Sequence, residues 1–282
     1  MISRRTFLAS TAWAGMGMAA AKEKLPVPTG LEIYSLRREA GKDLPGTLAL
    51  IRKLGFQEIE GGDFFGRSAA EFRKLLDLHE LRMTSMMAAY DRLDRDLDAV
   101  AADAHTLGAE YVVCSTVPHK KKLTLEDCRR AIESLNRFGE ALAKRKLQCA
   151  YHIHGVEFGP SADGTLFDTL ARGTNPKFVN FEMDIFWIVY AYQDPVKLLH
   201  QYRGRFPLMH VKDIRKGTAL GGSPGDVLEE ASVPLGAGLV NIPATLRAAR
   251  ETGVRHYYIE DEAVNATEQI PESLRYLKSI RL

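Results

Sequence analysis

The sequence predicts a single α/β domain folded as a (β/α)8 barrel. β-prone runs and helical patterns alternate eight times across residues 22–282. Each strand-like run is followed by a helix, which is the crossover that parallel neighbours require. No Gly-x-Gly-x-x-Gly or phosphate-loop motif follows the first strand, which weakens an open doubly wound sheet as the alternative.

The first run is Gly30-Leu-Glu-Ile-Tyr-Ser35. A helix over 44–54 follows, with Leu44, Leu48, Ile51 and Leu54 at helical spacing and Gly55 ending the pattern. Residues 56–60 form the second strand, and Ser68-Ala-Ala-Glu71 reads as a capping box for a helix to about Glu80. The third strand covers 81–87, the third helix 91–107 with Gly108 at its end, and the fourth strand Tyr111-Val-Val-Cys114. Thr124-Leu-Glu-Asp127 opens a long amphipathic helix to about Lys146. Strands follow at 147–153, 178–184, 206–211 and 256–260, with helical patterns at 163–172, 194–203, 241–252 and 271–280. The Gly- and Pro-rich stretch 216–239 reads as a long loop at the catalytic mouth.

Composition excludes several classes. The 282 residues are 45% hydrophobic and 26% charged, as in ordinary globular proteins, so disorder and fibrous repeats are not expected. Lys and Arg total 38 against 36 Asp and Glu, with no long run of one sign, so the chain lacks the basic excess of a nucleic-acid binder. Cys114, Cys128 and Cys149 have no Cys-x-x-Cys spacing and read as buried thiols, without a disulfide framework or structural zinc site.

Residues 1–21 stand apart. Twin arginines at Arg4 and Arg5, a mildly apolar stretch and a small-residue end before Lys22-Glu-Lys24 make a bacterial export signal. Ser3-Arg-Arg-Thr-Phe-Leu8 resembles the twin-arginine (Tat) consensus, which implies export of the folded protein by that machinery, to the periplasm or outside the cell. The mature domain would start near Ala21 or Lys22. The run from Thr6 to Ala21 is too short and too rich in Gly and Ala to span a membrane comfortably, so no stable span is expected in the mature chain.

In a barrel the carboxyl ends of all strands meet at one mouth. Four of these ends carry ligand-type groups. Strand five ends Tyr151-His-Ile-His154 with Glu157 close behind, and strand six ends Glu182-Met-Asp184. Strand seven ends His210-Val-Lys-Asp213, and strand eight ends Ile259-Glu-Asp-Glu262. Mixed imidazole and carboxylate donors suit Mn²⁺, Co²⁺, Fe²⁺ or Zn²⁺ and argue against an oxygen-only calcium cage.

Gly30-Leu-Glu-Ile-Tyr-Ser-Leu36, Tyr151-His-Ile-His-Gly-Val-Glu-Phe158, Met183-Asp184 with Trp187, His210-Val-Lys-Asp213, Pro234-Leu-Gly-Ala-Gly238 and His256-Tyr-Tyr-Ile-Glu-Asp-Glu262 resemble the sugar phosphate isomerase/epimerase family of xylose isomerase-like TIM barrels. The resemblance covers nearly the whole mature chain. It implies a divalent metal, Mn²⁺ first with Zn²⁺, Co²⁺, Fe²⁺ or Mg²⁺ as alternatives, held by an acid on strand five, Asp184, His210 and Glu260. It also allows a homo-oligomer. Strand five departs from the pattern, with His152 where many members have glutamate. Residues 152 and 154 share a face of the strand, so either imidazole could face the metal and the other the substrate; His152 is favoured as the ligand and His154 as the acid/base, with Glu157 a third candidate. At strand three, Ser85-Met-Met87 stands where relatives often show histidine. Glu32 lines the pocket floor or pairs with a basic neighbour, and Trp187 forms a wall for a sugar ring or packs in the core.

The chemistry expected of such a site is proton abstraction next to a carbonyl, through an enediolate that the cation stabilises. Glu260, also a ligand, would act as one base, and His154 or Glu157 as a second proton carrier on the opposite face. Lys212 is expected to alternate away from His210 and either reach the substrate from the loop end or form a salt bridge with Asp213. An exported protein is expected to act on an unphosphorylated sugar or keto-sugar, because phosphorylated sugars are mainly cytoplasmic. The expected activity is therefore isomerase or epimerase. The alternatives are a 3-keto-glycoside lyase or hydratase on the same site, and a non-catalytic sugar-binding barrel.

Overall fold

The computed structural model describes residues 30–162, 164–222 and 229–280. The expected export signal lies outside the described residues. Eight parallel strands close into a barrel in sequence order, and the eighth pairs with the first. They are β1 (Gly30–Glu32), β2 (Glu58–Gly61), β3 (Arg82–Ala88), β4 (Tyr111–Cys114), β5 (Gln148–His152), β6 (Val179–Asp184), β7 (Leu208–Val211) and β8 (His256–Ile259). Around them lie α1 (Leu44–Leu54), α2 (Ala69–Leu78), α3 (Leu97–Leu107), α4 (Leu125–Ala143), α5 (Leu166–Gly173), α6 (Pro195–Gln201), α7 (Ile242–Thr252) and α8 (Ala266–Ser279). The (β/α)8 TIM barrel expected from the sequence is the observed fold.

Local chemistry explains the helices. α2, α4 and α5 each start with a reciprocal capping box, Ser68 with Glu71, Thr124 with Asp127 and Thr165 with Asp168, which satisfies backbone N–H groups left over at a helix start. On α4, Cys128, Ala131, Leu135, Phe138 and Leu142 recur every three or four residues and are buried on one face. All three cysteines are buried free thiols.

Inside the barrel, Tyr111, Ala150, Leu208 and Tyr258 form an apolar layer, with Val113 packed onto it from the mouth side. The Tyr258 hydroxyl lies 2.6 Å from that of Thr84, closing the layer across the barrel. Because strand side chains alternate, the inward residues two places further along each strand form the next layer, toward the mouth. That layer is polar and carries the site.

Several boundaries differ from the sequence reading. β1 stops at Glu32, whose carboxylate accepts the Tyr34 N–H at 3.1 Å and turns the chain into a single 3₁₀ turn, Ile33–Leu36. The third helix is two helices, Tyr90–Arg95 and α3, because Asp96 leaves helical geometry and caps α3 through the Ala99 N–H. A short helix, Ile185–Tyr190, was not anticipated. Its residues are apolar throughout, so it has no helical periodicity to read, and it is started by Asp184 accepting the Phe186 and Trp187 N–H groups. α8 begins at Ala266, ahead of the expected 271, and keeps Pro271 inside it.

Candidate metal and active site

The polar layer is assembled from six strands. β5 ends in His152, β6 contributes Glu182 and Asp184, β7 contributes His210 with Lys212 beyond it, and Glu260 follows β8. β1 adds Glu32 and β2 adds Glu60. All eight side chains are buried, Glu260 the most exposed at 8%. A cavity of about 440 Å³ opens above them, lined by Glu32, His152, His154, Trp187, His210 and Glu260, with Tyr34, Asp63 and Glu262 among its other walls.

The hydrogen bonds are specific. His152 Nδ1 lies 2.8 Å from Glu182 Oε2. His210 Nε2 lies 2.5 Å from Glu60 Oε2, and its Nδ1 3.1 Å from Glu260 Oε2. Ser85 donates to the other Glu60 oxygen. Lys212 Nζ sits 3.3 Å from Glu260 Oε2 and 2.5 Å from Glu262 Oε1. Asp184 uses Oδ1 for the two backbone N–H groups of the short helix, while its buried Oδ2 has no hydrogen-bond partner. That oxygen is 4.0 Å from both His152 Nε2 and His210 Nδ1. Two donors about 2.1 Å from a shared ion lie at most about 4.2 Å apart, so each of these two spacings is within the reach of one cation and too long for a direct hydrogen bond. His152, Asp184 and His210 together could hold a metal ion. Glu260 Oε2, next to His210 Nδ1, is placed to complete the set.

Charge is partitioned within this layer. Burial pushes Asp184 up to about 7, against the lowering effect of Lys212. Burial also raises Glu260, but Lys212 and His210 outweigh it and hold the carboxyl well below its ordinary value. Burial lowers His152 strongly, helped by the neighbouring His154, and takes His154 down to about 4. His210 goes the other way, because Glu182 and Glu260 overcome the effect of burial. Glu182 and Glu32 are both raised well above the ordinary carboxyl value, by burial first and by Glu60 second.

A family model described as a xylose isomerase-like TIM barrel matches residues 48–280. The chain belongs to that family. A sugar phosphate isomerase/epimerase from Parabacteroides distasonis ATCC 8503 is 25% identical, with 96% of this chain and 98% of that one superposed at a TM-score of 0.74. A protein named IolI, crystallised with a bound zinc atom, has the same fold at 15% identity, TM-score 0.70, over 89% of this chain and 95% of its own. The inosose dehydratase of Geobacillus kaustophilus is 24% identical over 61% of this chain. The first curated relatives are matched over 60% to 66% of their own length.

Among the xylose isomerase-like barrels, this chain brings together His152, Asp184, His210 and Glu260, drawn from four strand ends distant in sequence. Glu32 lines the cavity floor and accepts a backbone N–H, so the basic partner considered for it is not what holds it. Trp187 lines the cavity as well as packing on Phe186. Two expectations need correction. Lys212 does not turn away from His210, because residues two apart on a strand share a face. Its ammonium pairs with Glu260 and Glu262, and Asp213 instead accepts the N–H groups of Ile214, Gly236, Gly238 and Val240, organising the loop after β7. Glu157 is fully buried away from the cavity, with its oxygens taken by the Tyr151 hydroxyl and the His154 N–H. The sequence reading gave no role to Glu60 or Glu182. The signal was available in their position, since a carboxylate on an inward position of a barrel strand has no solvent to face.

Proposed function

We propose that this chain is a divalent-metal-dependent enzyme that isomerises or epimerises an unphosphorylated sugar or keto-sugar by moving a proton next to a carbonyl. The observation that carries this reading is Asp184 Oδ2, buried without a hydrogen bond and 4.0 Å from two imidazole nitrogens and from Lys212 Nζ. His152, Asp184, His210 and Glu260 would hold the ion, and both Mn²⁺ and Zn²⁺ accept this mixture of nitrogen and oxygen donors. When bound, such an ion supplies Lewis acidity to a substrate carbonyl and its neighbouring hydroxyl.

The rest of the chemistry belongs to the side chains. His154 is held neutral by burial and faces the cavity, so it can take a proton. Glu260, which also lines the cavity, is the second proton acceptor, with Lys212 positioning it at 3.3 Å. Trp187 offers an apolar wall to a ring. Among the described residues lining the cavity are four carboxylates, Glu32, Asp63, Glu260 and Glu262, and no Lys or Arg. A phosphate or carboxylate on the substrate would find no Lys or Arg partner there, which supports a neutral substrate. The Arg4-Arg5 segment supports an exported location, where phosphorylated sugars are scarce, and so an unphosphorylated substrate.

A second reading is a dehydratase or lyase acting on a keto-sugar, favoured by relatives named inosose dehydratase. It uses the same proton abstraction, followed by loss of a β-hydroxyl or glycosidic oxygen. Metal analysis of the purified protein tests the common core. About one ion per chain is expected, lost in His210→Ala and Glu260→Ala, while a wild type that takes up no metal would favour a non-catalytic sugar-binding barrel. Incubating the metal-loaded protein with a panel of keto-sugars in D₂O separates the two readings. Deuterium in recovered sugar indicates isomerisation or epimerisation, an unsaturated product indicates elimination, and neither with any sugar overturns both.

A further inference from the structure

Two buried carboxylates lie beneath the proposed ligands without lining the cavity. Glu182 and Glu60 are fully buried and face inward from β6 and β2. Each meets the far nitrogen of an imidazole, Glu182 at 2.8 Å from His152 Nδ1 and Glu60 at 2.5 Å from His210 Nε2, with Glu182 also 3.5 Å from His210 Nε2. The near nitrogens, His152 Nε2 and His210 Nδ1, are the two that face Asp184 Oδ2. An imidazole that holds an ion through one nitrogen keeps its single N–H on the other, and a carboxylate placed there accepts it. The proton therefore belongs on the nitrogen next to Glu182 in one ring and next to Glu60 in the other. The two rings use opposite nitrogens, so one rule of ring chemistry could not place both lone pairs correctly; two separately placed carboxylates can.

We infer that Glu182 and Glu60 are positioning residues that set opposite tautomers on His152 and His210, leaving His152 Nε2 and His210 Nδ1 free to hold the ion. The inference rests on the metal reading above. β3 supports it: a register shift between Ile59 and Glu60 places Ser85 opposite Glu60, and the Ser85 hydroxyl occupies one Glu60 oxygen so that the other is left for His210. The 3.1 Å between His210 Nδ1 and Glu260 Oε2 is also the spacing of two adjacent ligands, since donors about 2.1 Å from one ion and at right angles lie about 3.0 Å apart.

The test is NMR of the full chain with ¹⁵N-labelled histidine, loaded with Zn²⁺. Protons are expected on His152 Nδ1 and His210 Nε2. In chelator competition, Glu182→Gln and Glu60→Gln are each expected to weaken zinc binding by about 10–100-fold while the stoichiometry stays at one, the usual effect of losing a carboxylate behind a metal-bound histidine. Protons on the opposite nitrogens would overturn the inference, as would wild-type affinity in both variants. So would two zinc ions per chain with one lost in Glu60→Gln, which would make these carboxylates ligands. If the variants do not fold, the wild-type spectra decide. If the wild type binds no zinc, the metal reading fails separately, and the ion-free spectrum still decides whether His152 carries its proton on Nδ1.

Discussion

At the residue scale, Lys212 shows how burial changes what a charge is for. Its side chain is 1% exposed, and its ammonium lies between Glu260 and Glu262, 4.9 Å and 5.3 Å from the ring centres of Phe186 and Trp187. Removing one partner of a buried ion pair leaves the other charge unsolvated, at a cost of about 3–5 kcal/mol. Lys212→Met is therefore expected to lower unfolding stability by about that much in a urea titration, although methionine fills much of the same volume. A loss below about 1 kcal/mol would mean that Glu260 finds another way to be neutralised.

At the element scale, two contacts tie secondary structure to the barrel. In α4, a Cβ on Gly139 would fall 2.5 Å from the Phe178 carbonyl oxygen and 3.0 Å from Val179 Cγ2. Alanine in place of glycine stabilises an exposed helix by about 1 kcal/mol. Here the neighbour is backbone, so Gly139→Ala should instead cost about 1–3 kcal/mol, and a thermal melt above wild type would contradict the close approach. At the amino ends of β2, β3 and β8, Glu58 joins His256 and Arg82, each at 3.0 Å. The hydrogen bond from His256 holds the Glu58 carboxyl below its ordinary value of 4.5. Stabilisation from a lowered carboxyl pKa is present above the unfolded value and lost as pH falls through the folded one. Glu58→Gln should thus cost about 1–2 kcal/mol at pH 7, with the difference from wild type shrinking as pH drops below 4.5. A gap that stays constant with pH would rule out the charged contact as its source.

At the scale of the whole molecule, the proposed ion joins β5, β6, β7 and the end of β8, half of the barrel wall. Anything that binds the folded chain alone stabilises it by mass action, by about 2.7 kcal/mol at a hundred times its Kd. Zinc added to metal-free protein should raise the melting midpoint by roughly 5–10 °C, and a chelator should reverse the rise. An unchanged midpoint with zinc bound would mean that the unfolded chain holds zinc as well as the folded one, against a site built by barrel closure.

How much was legible follows from which interactions are local. The strand and helix order, the capping boxes at Ser68 and Thr124, and the ligand-type residues at four strand ends are written in short windows of sequence, where periodicity and neighbouring side chains act directly. The short helix after Asp184 was invisible, because a segment buried on all sides has no polar face to mark its period. The partners of Glu60 and Glu182 were equally hidden, although their inward positions were not: each partner depends on which atom of another strand is met across the barrel. Sequence alone therefore determined the architecture and the chemical types gathered at its mouth. Only closure of the barrel decided which imidazole nitrogen faces which carboxylate, because that depends on register and tilt between strands up to 150 residues apart.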